Sequence, residues 1–130
     1  MIALDTNILV RFLVRDDEEQ AQIVYKRFKQ AEASRESFFI PLLVVLETIW
    51  VLESAYGQDR REILDALEDL RKMPILEFEK DSVLDRFLAE GKQGRAALPD
   101  RLIALSAQAG GCRAVLTFDK GAARDGFFQL

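Results

Sequence analysis

The strongest constraint on this chain is an alternation of short apolar runs with longer segments of helical periodicity. Ile2-Ala3-Leu4 is such a run, and it ends at Asp5. Phe38-Phe39-Ile40, Ile75-Leu76-Glu77-Phe78 and Ala114-Val115-Leu116 follow the same form. Between them, apolar residues recur at helical spacing, as in Ile8, Leu9, Phe12 and Leu13, or Ile63, Leu64, Leu67 and Leu70. Runs this short and this apolar read as strands buried on both faces. Strands separated by helices pair in parallel, because the chain must cross back over the sheet each time. The expected order is β-α-α-β-α-α-β-α-α-β. It predicts an α/β fold of three layers, α/β/α, around a short central parallel sheet.

Local signals place the boundaries. Asp16 and Asp17 form a turn and N-cap for a helix over 18–34. Pro41 opens the next helix, which runs to about Ala55 and stops at Gly57. A helix over Gln58 to Lys72 ends before Pro74. Asp81 to Glu90 is helical, Gly91 to Arg95 is a loop, and Pro99 opens a helix that ends near Gly110-Gly111. Arg113 to Phe118 is a strand that delivers Asp119, and Gly121 to Leu130 adds a helical turn and an edge strand.

Composition narrows the chemistry. A chain of 130 residues suits one domain spanning 1–130. Histidine is absent, which excludes Ser-His-Asp and Cys-His mechanisms and a histidine-rich zinc site. Cys112 is the only cysteine, so no internal disulfide forms, and a reducing, cytoplasmic setting is expected. The longest apolar stretch, Ile40 to Leu52, is interrupted by Glu47 and Thr48, so it reads as a buried helix and not a membrane span. The N-terminus has no basic segment before its apolar run and does not resemble a signal peptide. The formal net charge of −4 argues against a nucleic-acid partner at first sight. Four carboxylates committed to cations would account for all of it.

Four carboxylates stand out. Asp5 and Asp119 each follow an apolar strand, and in parallel sheets ligands bind at the carboxyl ends of strands. Capping of the following helix explains either aspartate alone equally well. Glu47 lies in a helix that is apolar on nearly every side, where an unpaired ionised carboxylate is costly. It requires either an arginine partner or a metal ion. Asp100 follows Pro99 in a first helical turn, where the helix dipole alone would favour an acid. Together they form an oxygen-only donor set, which selects Mg²⁺ or Mn²⁺. Such ions lower the pKa of bound water and neutralise charge on a phosphate.

These residues resemble the PIN-domain ribonucleases of the VapC toxin type, over essentially the whole chain. Ile2-Ala3-Leu4-Asp5-Thr6-Asn7-Ile8-Leu9 matches the family's opening motif and its first metal-binding aspartate. Val44-Val45-Leu46-Glu47-Thr48 matches its helical glutamate, Asp100-Arg101-Leu102-Ile103-Ala104 its third acid, and Leu116-Thr117-Phe118-Asp119-Lys120 its last strand and fourth acid. Many members carry a further aspartate three positions before the third acid, where this chain has Ala97. The resemblance implies a PIN-like fold and a Mg²⁺- or Mn²⁺-dependent endoribonuclease, with Asp5, Glu47, Asp100 and Asp119 as catalytic and metal-binding residues. Asp5, Asp100 and Glu47 would hold the ion, and Asp119 would bind a second ion or orient water. Water would attack the RNA phosphate directly, with the 3′ oxygen leaving. Thr6, Asn7 and Thr117 would orient the carboxylates, although ordinary turn and capping chemistry also explains such residues. The resemblance further implies an RNA substrate, a cognate antitoxin and a homodimer.

Basic residues near these acids are candidate phosphate contacts: Arg11, Arg15, Lys92, Arg95, Arg101 and Lys120. Solvated surface charge is the commoner explanation for any one of them. Two other functions compete with this one. A PIN-like module that binds RNA or protein without catalysis would be expected to lose acids, and here all four are present. An aspartate-nucleophile phosphatase needs a second aspartate two positions after the first, where this chain has Asn7.

Overall fold

The computed structural model describes residues 1–124 and 126–129, in two compact units, Met1–Glu79 and Lys80–Leu130. All strands pair in parallel, as the alternation requires.

The first unit runs β1 (Ile2–Ala3), α1 (Thr6–Leu13), α2 (Glu18–Ser34), β2 (Phe38–Ile40), α3 (Leu42–Ser54), α4 (Arg60–Arg71) and β3 (Leu76–Phe78). Its sheet has the order β1-β2-β3, with Ile2 beside Phe38 and Phe38 beside Leu76. Leu9, Ile40, Ile49, Leu52, Ile63, Leu67 and Leu70 are fully buried. Phe12, Phe28 and Phe38 form a tilted ring stack, with centroids 5.1 and 5.7 Å apart.

Capping explains where these helices begin. Asp17 accepts from the backbone N–H of Gln20 at 3.1 Å, as its position predicts. Asp59 and Glu62 form a reciprocal capping box at the start of α4. Pro41 is the residue before the first turn of α3 and has no side chain with which to cap it. Glu79, just after β3, fills that role: its Oε1 accepts from Leu42 N–H at 2.7 Å. A carboxylate is favoured there because α3 presents unpaired N–H groups and the positive end of its dipole.

Two expectations about burial are corrected. Ile2 and Ala3 are exposed and only Leu4 of that run is buried, because β1 is the terminal strand of its three-stranded sheet. Helix α3 is not buried on all sides. Val45, Thr48, Ile49 and Leu52 face the core, whereas Leu43, Glu47 and Trp50 form an exposed stripe at helical spacing. Glu47 is therefore hydrated, and the cost of burying its charge does not arise.

The second unit runs α5 (Asp81–Gly91), α6 (Leu98–Ala109), β4 (Val115–Leu116), α7 (Lys120–Ala123) and β5 (Phe128–Gln129). Helices α5 and α6 pack together. Val83, Leu84, Phe87 and Leu88 of α5 are buried, as are Leu98, Leu102 and Leu105 of α6. Glu90 accepts from Arg86 at 3.2 Å and from Arg101 at 2.8 Å, an ionic tie from α5 to α6. A second small core joins Ala104, Ala122 and Phe128 with Val115 and Phe127. The strand expected over Arg113 to Phe118 pairs only at Val115 and Leu116, whose partners are Phe128 and Gln129. The helical turn and edge strand expected after Gly121 are α7 and β5; Asp125 and Leu130 of that segment lie outside the described residues. Among the described residues, no helix is long and apolar enough to cross a membrane.

Candidate active site

In the first unit, Asp5 stands between β1 and α1, at the carboxyl end of a parallel strand. Its Oδ1 accepts from Thr6 N–H at 2.8 Å and so caps α1. Capping engages one oxygen, and Oδ2 accepts no hydrogen bond among the described residues. The capping and ligand roles are thus compatible.

Thr6 links this carboxylate to Glu47. Its backbone N–H donates to Asp5, and its buried hydroxyl donates through a short hydrogen bond to Glu47 Oε1. Glu47 is placed for this by α3, which packs against α1. The hydroxyl orients one oxygen of Glu47 and leaves the other without a hydrogen bond among the described residues. Asn7 is exposed, and its side chain makes no hydrogen bond among the described residues.

In the second unit, Asp119 follows β4 and caps the short helix α7. Its Oδ1 accepts from Gly121 N–H at 2.8 Å and from Ala122 N–H at 3.2 Å. Thr117 acts on the backbone and not on the carboxylate: its hydroxyl accepts from Asp119 N–H at 2.9 Å, fixing the turn that presents the side chain. Asp100 is in the first turn of α6, half-buried. Asp100 and Asp119 line one cavity of about 620 Å³, together with Arg95, Ala96, Ala97, Gly121, Ala122 and Arg124. Ala97, at the position before α6, is part of that lining.

The four acids thus occur as two carboxylate pairs, one in each unit, offering oxygen ligands alone. This donor chemistry suits a hard divalent cation. Among the described residues, no group of three or more Asp, Glu or Cys side chains lies close enough together to hold an ion.

Several of the basic candidates are committed elsewhere. Arg101 is paired with Glu90. Arg11 donates to Gln20 at 2.7 Å and to Asp16 and Tyr56 at 3.1 Å each, while Tyr56 donates to Asp16 at 2.7 Å. These contacts raise the Arg11 pKa, with the Tyr56 hydrogen bond as the main cause. Arg15 pairs with Glu18 at 3.7 Å and lies over the Tyr25 ring. Arg95 does line the cavity with Asp100 and Asp119. Arg124 lines it too and was missed from sequence, because a lone arginine in a short terminal segment has no periodicity or capping role to mark it.

The sequence pattern described as PIN domain matches residues 2–127, spanning both units. A VapC ribonuclease of Aquifex aeolicus (strain VF5) is 24% identical over 127 residues, which cover 98% of this chain and 93% of that protein.

Proposed function

The chain belongs to the PIN-domain family, and from that premise we propose that it is a metal-dependent endoribonuclease, the toxin of a toxin–antitoxin pair. In this reading residues 1–130 form one catalytic domain that works in the cytoplasm as a homodimer. Its substrate is RNA, and a cognate antitoxin restrains it. The observation that carries the proposal is the set of four motif acids, two joined through Thr6 and two lining one cavity.

Asp5, Glu47, Asp100 and Asp119 would hold Mg²⁺ or Mn²⁺. When bound, such an ion supplies an acidified water and neutralises charge on the phosphate and leaving oxygen. The chain's own contribution is orientation. Thr6 holds Glu47 in one rotamer through its hydroxyl and steadies Asp5 through its amide. Thr117 and the amides of Gly121 and Ala122 fix Asp119 from both sides of its backbone turn. A ligand carboxylate oriented in this way loses less freedom when it binds a cation.

The test is cleavage of RNA by the purified chain with Mg²⁺ or Mn²⁺, beside a chelator control and Asp5→Asn. Wild type should cleave, and both controls should not. Failure of wild type to cleave with either metal, or equal cleavage by Asp5→Asn, would refute the proposal. RNA binding without cleavage would instead favour a non-catalytic PIN-like module.

A further inference from the structure

The cavity of the second unit carries both signs of charge. Asp100 and Asp119 share its lining with Arg95 and Arg124. Both arginines are exposed, and neither makes an ion pair among the described residues. They differ in this from Arg11, Arg27, Arg86 and Arg101, each held by a carboxylate. The two guanidiniums come from different parts of the chain, the loop before α6 and the end of α7. Two arginines from separate segments thus share one cavity with two carboxylates.

We infer that Arg95 and Arg124 are positioning residues that grip the phosphate oxygens of an RNA strand entering this cavity. The inference rests on the nuclease reading for the identity of the strand. Its physical basis is charge balance. With all four side chains ionised, two carboxylates and two guanidiniums leave the lining formally neutral, a poor attractor for a polyanion. Carboxylates committed to a divalent cation leave the guanidiniums facing the anion, and the pocket becomes net positive. A guanidinium is always charged and matches two phosphate oxygens with a planar fork. The 620 Å³ cavity has room for a phosphate and its flanking sugar.

The experiment has two readouts. The first is binding of a fluorescent single-stranded RNA in Mg²⁺ across a salt series, with every protein carrying Asp5→Asn so that no cleavage occurs. Each phosphate contact contributes about −0.7 to the slope of log K against log salt for a single strand. The double variant Arg95→Ala/Arg124→Ala should therefore flatten the slope by roughly 1.4, and each single variant by about half of that. The second readout is steady-state cleavage. KM should rise on the order of tenfold in the double variant, with kcat near that of wild type. Arg95→Lys/Arg124→Lys should restore the slope but only part of the KM, since lysine keeps the charge and loses the fork. Lys26→Ala/Arg61→Ala, which removes two exposed charges in the other unit, should leave both readouts unchanged. An unaltered slope and KM in the arginine double variant, with cleavage still abolished by Asp5→Asn, would overturn the inference and leave the nuclease standing. A flattened slope in a protein that never cleaves would support the grip and refute the nuclease.

Discussion

Replacing Thr6 with valine separates the two roles of the residue that joins Asp5 to Glu47. Thr6 is 4% exposed, so its side chain is packed, and valine has nearly the same shape. The hydroxyl donates to a charged acceptor, a bond that contributes about 1.5–3 kcal/mol where the acceptor has no alternative. Glu47 has one, because it is exposed and water replaces the lost donor. A buried methyl in place of the hydroxyl returns part of the remainder, at about 0.8 kcal/mol per carbon. The net change in stability should stay within about 1 kcal/mol, a shift of no more than roughly 4 °C in Tm. The effect on cleavage should be far larger. Loss of a partner that orients a ligand carboxylate typically lowers metal affinity or activity by about 10- to 100-fold. Thr6→Ser should show the opposite pattern. It keeps the hydroxyl and so the activity, but it loses a buried methyl and about 1 kcal/mol. Both variants keep the amide bond to Asp5, which isolates the effect on Glu47. Thermal melts by circular dichroism and initial rates on an RNA oligomer at several Mg²⁺ concentrations check the pair. Wild-type cleavage by Thr6→Val, or equal losses of activity in valine and serine, would show that Thr6 does not position Glu47.

Other consequences concern the fold. Glu79→Ala leaves the first turn of α3 without its acceptor and should cost about 1 kcal/mol, with Glu79→Gln recovering part of it, as read from urea midpoints. Arg27 grips Glu36 through two hydrogen bonds, of 2.7 and 2.8 Å, and this grip holds the Glu36 carboxyl below its ordinary pKa. A depressed folded pKa contributes stability that is present above the unfolded value and is lost as pH falls through the folded one. Acidification from neutral pH toward pH 3 should therefore lower the Tm of wild type more than that of Glu36→Gln, and parallel pH profiles would contradict this.

The helices were legible in the sequence wherever one face was apolar. Apolar residues at Ile63, Leu64, Leu67 and Leu70 mark a single face, and all four are buried. Asp17 was legible as a cap because an N-cap acts within three residues of itself. The acids Asp5 and Asp119 were legible for a similar reason: their position at a strand end is local information. Glu47 shows the limit. Helix α3 is apolar almost throughout, so its sequence has no pattern to say which face meets the core. That uniformity implies a buried charge, whereas Glu47 is exposed.

The sequence alone determined the alternation of strands and helices and their parallel pairing, because these follow from short-range periodicity; it singled out the four acids as candidates by their motifs. Tertiary structure decided which partners those acids have. Thr6 and Glu47 are 41 residues apart, Leu42 and Glu79 are 37 apart, and Arg95 and Arg124 reach one cavity from separate segments. Such contacts depend on how helices are laid against strands, which no local pattern encodes. Burial would have made the Glu47 charge costly; packing instead leaves it hydrated, held by the hydroxyl of the residue next to Asp5.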